Sequence, residues 1–164
     1  NSRVMYFRVG NRNGTIVAGN NTAGVTPTQL KFPHGVYFDS ISNSTIIANS
    51  GGANILRWSI GASNWTLVAG GSGVVAGTAP NRFNYPIGVI LDPMNNLCVA
   101  DYGNHRVQFF LSGEMNGRTI AGFTGVNGNN ASSLDSPGSV ALDSQLNLSV
   151  NDVSNHRVQK FLRY

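Results

Sequence analysis

The chain has 164 residues, with 11 Lys and Arg against 7 Asp and Glu, a formal charge of +4 and only 11% charged residues. That length can bury the core of one domain, and no apolar run reaches the ~18–20 residues that would carry a helix across a bilayer. The basic residues are scattered rather than clustered, so charge alone does not point to nucleic acid or an anionic membrane. The single cysteine, Cys98, excludes an intrachain disulfide; between Leu97 and Val99 it reads as a small buried thiol.

In chain order, Asn1-Ser2-Arg3-Val4-Met5-Tyr6-Phe7 aligns with Asn104-His105-Arg106-Val107-Gln108-Phe109-Phe110, and Thr15-Ile16-Val17-Ala18-Gly19 returns as Thr66-Leu67-Val68-Ala69-Gly70. Both segments, 3–7 and 15–18, are expected to be strands. A segment starting at Pro33-His34-Gly35 and ending at Trp58 follows, then a closer copy over 85–110, then another over 136–161. The spacing repeats whichever marker is used. Phe7, Trp58, Phe110 and Phe161 are 51, 52 and 51 residues apart, and Gly19, Gly70 and Gly122 are 51 and 52 apart. Periods of this size indicate propellers or solenoids.

The middle copy holds four strand candidates, 88–91, 97–100, 106–111 and 118–121. The first is apolar throughout, as for a strand buried on both faces. Turn residues separate them: Asp92-Pro93-Met94-Asn95-Asn96, then Asp101-Tyr102-Gly103-Asn104. Four antiparallel strands per period describe a blade of an all-β propeller. The expected division is 1–31 (two last strands and a crossing loop), 32–84 and 85–135 (one blade each), and 136–164 (three first strands). All belong to one propeller domain. A closed ring needs more blades than this. We therefore expect the C-terminal part of a longer chain, with preceding blades and a final fourth strand supplied from outside it.

At these residues the sequence resembles NHL-repeat proteins. Pro86, Gly88, Val89, Asp92, Asn96, Leu97, Val99, Ala100, Asp101, Asn104, His105, Arg106, Val107, Gln108 and Phe110 carry the pattern. Pro137, Gly138, Val140, Asp143, Asn147, Asp152, Asn155, His156, Arg157, Val158, Gln159, Lys160 and Phe161 repeat it. In the first full copy Asn49 replaces the second Asp, and Ala53-Asn54-Ile55 replaces His-Arg-Val. The resemblance implies a propeller, commonly six-bladed, and no single function.

Most polar residues of the repeat read as structure. Asp92 and Asp143 form turns, as Asp39 does; Arg106 and Arg157 are placed to bond Asp101, Asp152 or neighbouring carbonyls, and His105 and His156 follow a turn. Carboxylates one repeat apart are separated by a whole sheet, which disfavours an acid/base pair. His34 is the exception, lying where an innermost strand starts. NHL-like amidating lyases hold a metal through several such histidines, but a zinc site needs three or four ligands. With one in view, no metal, cofactor or catalysis is expected. Phe7, Trp58, Phe110 and Phe161 are expected in the core between sheets.

The expected binding face combines strand starts and second turns: His34, Asn49, Ser50, Tyr85, Ile87, Tyr102, Asn104 and Asn151. The reading is a rigid, non-catalytic scaffold that binds protein or glycan there. Single-stranded RNA is the alternative, with Tyr85 and Tyr102 stacking and Lys31 and Arg82 meeting phosphate; a metal-dependent propeller enzyme is the next. Asn13, Asn20, Asn43, Asn64, Asn130 and Asn147 begin Asn-X-Ser/Thr sequons. They favour an extracellular or secretory-pathway location.

Overall fold

The computed structural model describes residues 2–162; the alignment of Asn1 and the closing Arg163-Tyr164 lie outside them. Thirteen strands in this range form four antiparallel sheets. The first is β1 (Arg3–Tyr6) with β2 (Thr15–Gly19). The second runs in sequence through β3 (Pro33–Asp39), β4 (Ser44–Asn49), β5 (Asn54–Ser59) and β6 (Thr66–Gly70). The third repeats it as β7 (Pro86–Leu91), β8 (Leu97–Asp101), β9 (Arg106–Phe110) and β10 (Arg118–Gly122). The last has β11 (Pro137–Leu142), β12 (Leu148–Asp152) and β13 (Arg157–Phe161). The grouping into two, four, four and three strands follows the sequence pattern. Strand limits move slightly: β7 starts at Pro86 rather than at 88, because Pro86 pairs with Asp101 across a bulge that ends at Val89.

The turns form through local hydrogen bonds. Asp92 Oδ1 accepts from the backbone N–H groups of Met94 and Asn96, both at 2.9 Å, and Asn96 Nδ2 donates to Asp92 Oδ2 at 2.9 Å. Asp143 does the same with Gln145 and Asn147. At the other end of each hairpin a short 3-10 turn is closed by a residue in the left-handed region: Ala53 (φ 53°), His105 (φ 55°) and His156 (φ 54°). That repeated backbone requirement places the two histidines where they are.

The core lies between successive sheets. Ile46, Ala48, Ile55 and Ala69 of the second sheet meet Val89, Leu91, Leu97, Val99 and Phe110 of the third. Ala100, Val107 and Ala121 then meet Val140, Leu148 and Val150 of the last. A fully buried residue from the loop before each first strand plugs a layer: Phe83 and Leu134 in these two, and Leu30 with Ala18, Ile47, Leu56 and Trp58 between the first two sheets. The first strands lie side by side, and glycine permits the approach. A Cβ on Gly35 would overlap the Ile87 carbonyl oxygen, and one on Gly88 would sit 2.7 Å from the Gly138 carbonyl oxygen. Ser139 takes the glycine's place in the last sheet, where it is exposed.

Two expectations need correction. Trp58 and Phe110 are core residues, but Phe7 is 55% exposed and Phe161 only partly buried. Phe7 lies past the end of β1 and covers Gly14 instead of meeting another sheet. Burial of the first strand on both faces holds for β7 but not for β3, whose Val36 and Phe38 are each 53% exposed. Among the described residues the first sheet has only two strands, and these pack with Ile47, Leu56 and Trp58 rather than with Val36 and Phe38. Among the described residues no helix is long and apolar enough to cross a membrane.

Candidate functional site

The residue before each first-strand proline has a left-handed backbone: Phe32 (φ 48°), Tyr85 (φ 57°) and Ser136 (φ 56°). For a bulky aromatic this conformation is strained. Its consequence is to aim the side chain off the end of the sheet, where Phe32 is 58% and Tyr85 39% exposed. The Tyr85 ring stands edge-on to His34, with centroids 5.3 Å apart, and edge-on to Tyr102 at 6.3 Å. Three rings from two sheets thus form one row.

His34 is held from below. Its Nδ1 lies 3.0 Å from Ser50 Oγ and 3.1 Å from the Phe32 carbonyl oxygen, while the Ser50 hydroxyl donates to the Pro86 carbonyl. Ser50 is buried, so this anchor ties His34 to the start of the next sheet.

The other expected face residues divide. Ile87 is half-buried beside Gly35. Asn49 is 1% exposed: its Oδ1 accepts from the Lys31 N–H at 2.6 Å and its Nδ2 donates to Asn54 at 2.9 Å. Asn104 is 3% exposed and donates to the Gly77 carbonyl and to Asp101, both at 2.8 Å. Both asparagines build the face from inside and present no side chain to a ligand. Asn151 is exposed, but on the flank of the last sheet, at the register position that Ala48 and Ala100 fill between sheets.

The repeat's charged residues are spent on structure. Arg106 Nε donates to Asp101 Oδ2 at 2.9 Å, and its other nitrogens reach the carbonyls of Thr78, Ala79 and Arg82. Arg157 copies this with Asp152 and the carbonyls of Asn129, Asn130 and Ser133. These carbonyls belong to the loop entering the same sheet, so each Arg pins its own crossing loop. Burial raises the Asp101 carboxyl above its ordinary value, against the pull of Asn104, the Asn84 N–H and Arg106. Burial also raises Asp152, but there the Asp135 N–H, Asn155, Arg157 and Gln159 outweigh it and the net direction is down. His105 Nδ1 accepts from the Ser136 N–H at 3.1 Å and lies 3.3 Å from Asp135, joining two sheets. His156, its counterpart in the last sheet, is exposed.

Cys98 is buried, and burial, helped by Asp92, pushes its thiol up to about 12. It lines a cavity of about 630 Å³ with Met94, Ile120, Leu146 and Phe161, at the end of the sheets opposite the ring row. Among the described residues no three His, Cys, Asp or Glu side chains converge to hold a metal. Of the sequons, Asn13, Asn43, Asn64 and Asn130 are exposed and Asn20 is half-buried. Asn147 is a correction: it is 8% exposed, and its Nδ2, the atom a glycan would occupy, donates to Asp143. It is the counterpart of Asn96, a turn residue that happens to precede Leu148-Ser149.

Residues 83–110 match the NHL repeat family. The NHL repeat-containing protein 3 of Mus musculus is 33% identical over 92 residues, covering 56% of this chain and 26% of that protein. A solved Bacteroides thetaiotaomicron protein of unknown function superposes at a TM-score of 0.76 with 12% identity, over 98% of this chain and 42% of that one. An auxiliary nutrient binding protein of the same organism gives 0.70 and 16%, over 97% of this chain and 42% of that one. At these identities the structural likeness shows the fold alone, and the chain spans less than half of each of these proteins. Residues 83–110 thus carry an NHL repeat, and the sheets of this chain correspond to part of longer propeller-like structures.

Proposed function

We propose that this segment is part of a β-propeller that works as a rigid, non-catalytic interaction scaffold, extracellular or in the secretory pathway. The four sheets are its blades, in a ring completed by preceding blades of a longer chain. The observation that carries the reading is the row of His34, Tyr85 and half-buried Tyr102 at one end of the sheets, with Tyr85 on a left-handed backbone and His34 held through its Nδ1. Rings fixed this way meet a partner with little loss of side-chain freedom. The aspartates and His105 are tied to turns and loops by hydrogen bonds, which supports a binding rather than a catalytic role. For RNA the supply of cations at this end is thin, since Lys31 and Arg82 are both half-buried. One structural neighbour is described as a nutrient binding protein, which accords with a binding role.

The test uses the whole polypeptide, secreted from a eukaryotic host. Partners retained from the protein's native medium are compared for wild type, a Tyr85→Ser/Tyr102→Ser variant, and a Met94→Ser variant at the opposite end. Loss in the first variant alone is expected; equal retention by both overturns the assignment of this face. Intact mass before and after deglycosylation checks the compartment.

A further inference from the structure

We propose that the ring row is a carbohydrate subsite, in which Tyr85 and Tyr102 pack against a neutral sugar ring and His34 Nε2 accepts a hydrogen bond from one of its hydroxyls. The inference rests on the reading that this face binds ligands, and adds the ligand class and the atom that selects it.

Hydrogen-bond partners assign the tautomer of His34. Two groups converge on Nδ1: the Phe32 carbonyl, which can only accept, and Ser50 Oγ. The Ser50 proton is directed to the Pro86 carbonyl, another pure acceptor. Ser50 therefore also accepts at Nδ1, and Nδ1 must carry the proton. In the neutral ring Nε2 is then a bare lone pair, and among the described residues no group donates to it. The residue is exposed, and its ring stands 5.3 Å from that of Tyr85 between centroids.

An acceptor fixed next to aromatic faces suits a polyol ring. The C–H face of a sugar packs on an aromatic ring, and its hydroxyls supply donors at the rim. In the edge-on arrangement of the row His34 and Tyr85 are exposed and Tyr102 is half-buried. An organic cation fits less well, because Asp101, the carboxylate next to Tyr102, is fully buried and bonded to Asn84, Asn104 and Arg106. The backbone strain at Tyr85 is then the cost of presenting that ring on the surface.

The whole polypeptide is run in native gels containing dextran, mannan, galactan or alginate. At least one neutral polysaccharide is expected to retard it. Tyr85→Ala should abolish retardation and His34→Phe, which keeps a planar ring but has no Nε2, should weaken it about tenfold, as for one lost hydrogen bond. Tyr85→Phe and Met94→Ser should behave as wild type. Circular dichroism checks that each variant is folded, and nitrogen NMR of the folded wild type should show Nδ1 protonated and Nε2 bare. No retardation by any neutral polysaccharide overturns the proposal, as does wild-type behaviour of either loss variant or a protonated Nε2 in the neutral ring. If the Tyr85→Ser/Tyr102→Ser variant still loses a protein partner in those cases, the binding face stands and only the sugar assignment falls.

Discussion

Gly35 faces the carbonyl of Ile87 so closely that a Cβ on it would overlap that oxygen, and Gly88 stands in the same relation to Gly138, at 2.7 Å. Both contacts are backbone to backbone between first strands of neighbouring sheets, so no side-chain rotation can relieve them. The two glycines set the spacing of the inner strands, and with it the distance from His34 to Tyr85.

Gly35→Ala should destabilise the protein by roughly 1–3 kcal/mol, as overpacking does. Ser139→Gly, at the exposed equivalent, should change stability by less than about 1 kcal/mol. Denaturant titration of the two variants checks the contrast; equal effects would mean that the strand spacing does not depend on glycine.

Removing Arg106 should cost more than removing Arg157. Arg106 and Asp101 are 3% and 0% exposed, so Arg106→Ala strands a buried carboxylate, at about 3–5 kcal/mol. Arg157 is 31% exposed and shares its charge with water, so its loss should cost less. Comparing unfolding midpoints decides the order, and Arg106→Ala/Asp101→Asn should recover part of the loss.

Acid should weaken the fold. Asp39 is held low chiefly by the Ser42 hydroxyl, Asp135 by the Asn127 side chain, and Asp143 by Asn147 and Lys160, while Asp152 is also low on balance. A carboxylate with a depressed folded value gives stability that is present above its unfolded value of ~4 and lost as pH falls through the folded value. Asp101, raised by burial, acts in the opposite sense. Four groups oppose one, so the melting temperature should be flat near neutrality and fall below about pH 4. A melting temperature that rises on acidification would reverse the sign.

Cys98 should resist iodoacetamide in the folded state, because its buried thiol yields almost no thiolate near neutrality. Mass spectrometry should find it alkylated only after denaturation. In protein from a secretory host the same method should find no glycan on Asn147, while the exposed Asn13, Asn43, Asn64 and Asn130 remain open to modification.

The sequence alone determined the period, the strand grouping and the turns. These depend on short-range chemistry: Asp92 bonds backbone only two and four residues away, and the Gly, Asn and Pro punctuation falls between apolar runs. The plugs Leu30, Phe83 and Leu134 were also legible, each three residues before a proline, but they lie in loops whose polar composition hides one apolar position. What the tertiary structure decided was which equivalent residues face water. Asn49, Asn104 and Asn147 are buried, Asn151 sits on a flank, and Phe7 is exposed although Phe110 is core. The row of His34, Tyr85 and Tyr102 likewise depends on how two sheets stand together. A repeat fixes each residue's place within its own sheet, but burial and contact depend on the neighbouring sheet, which approaches from another period of the chain.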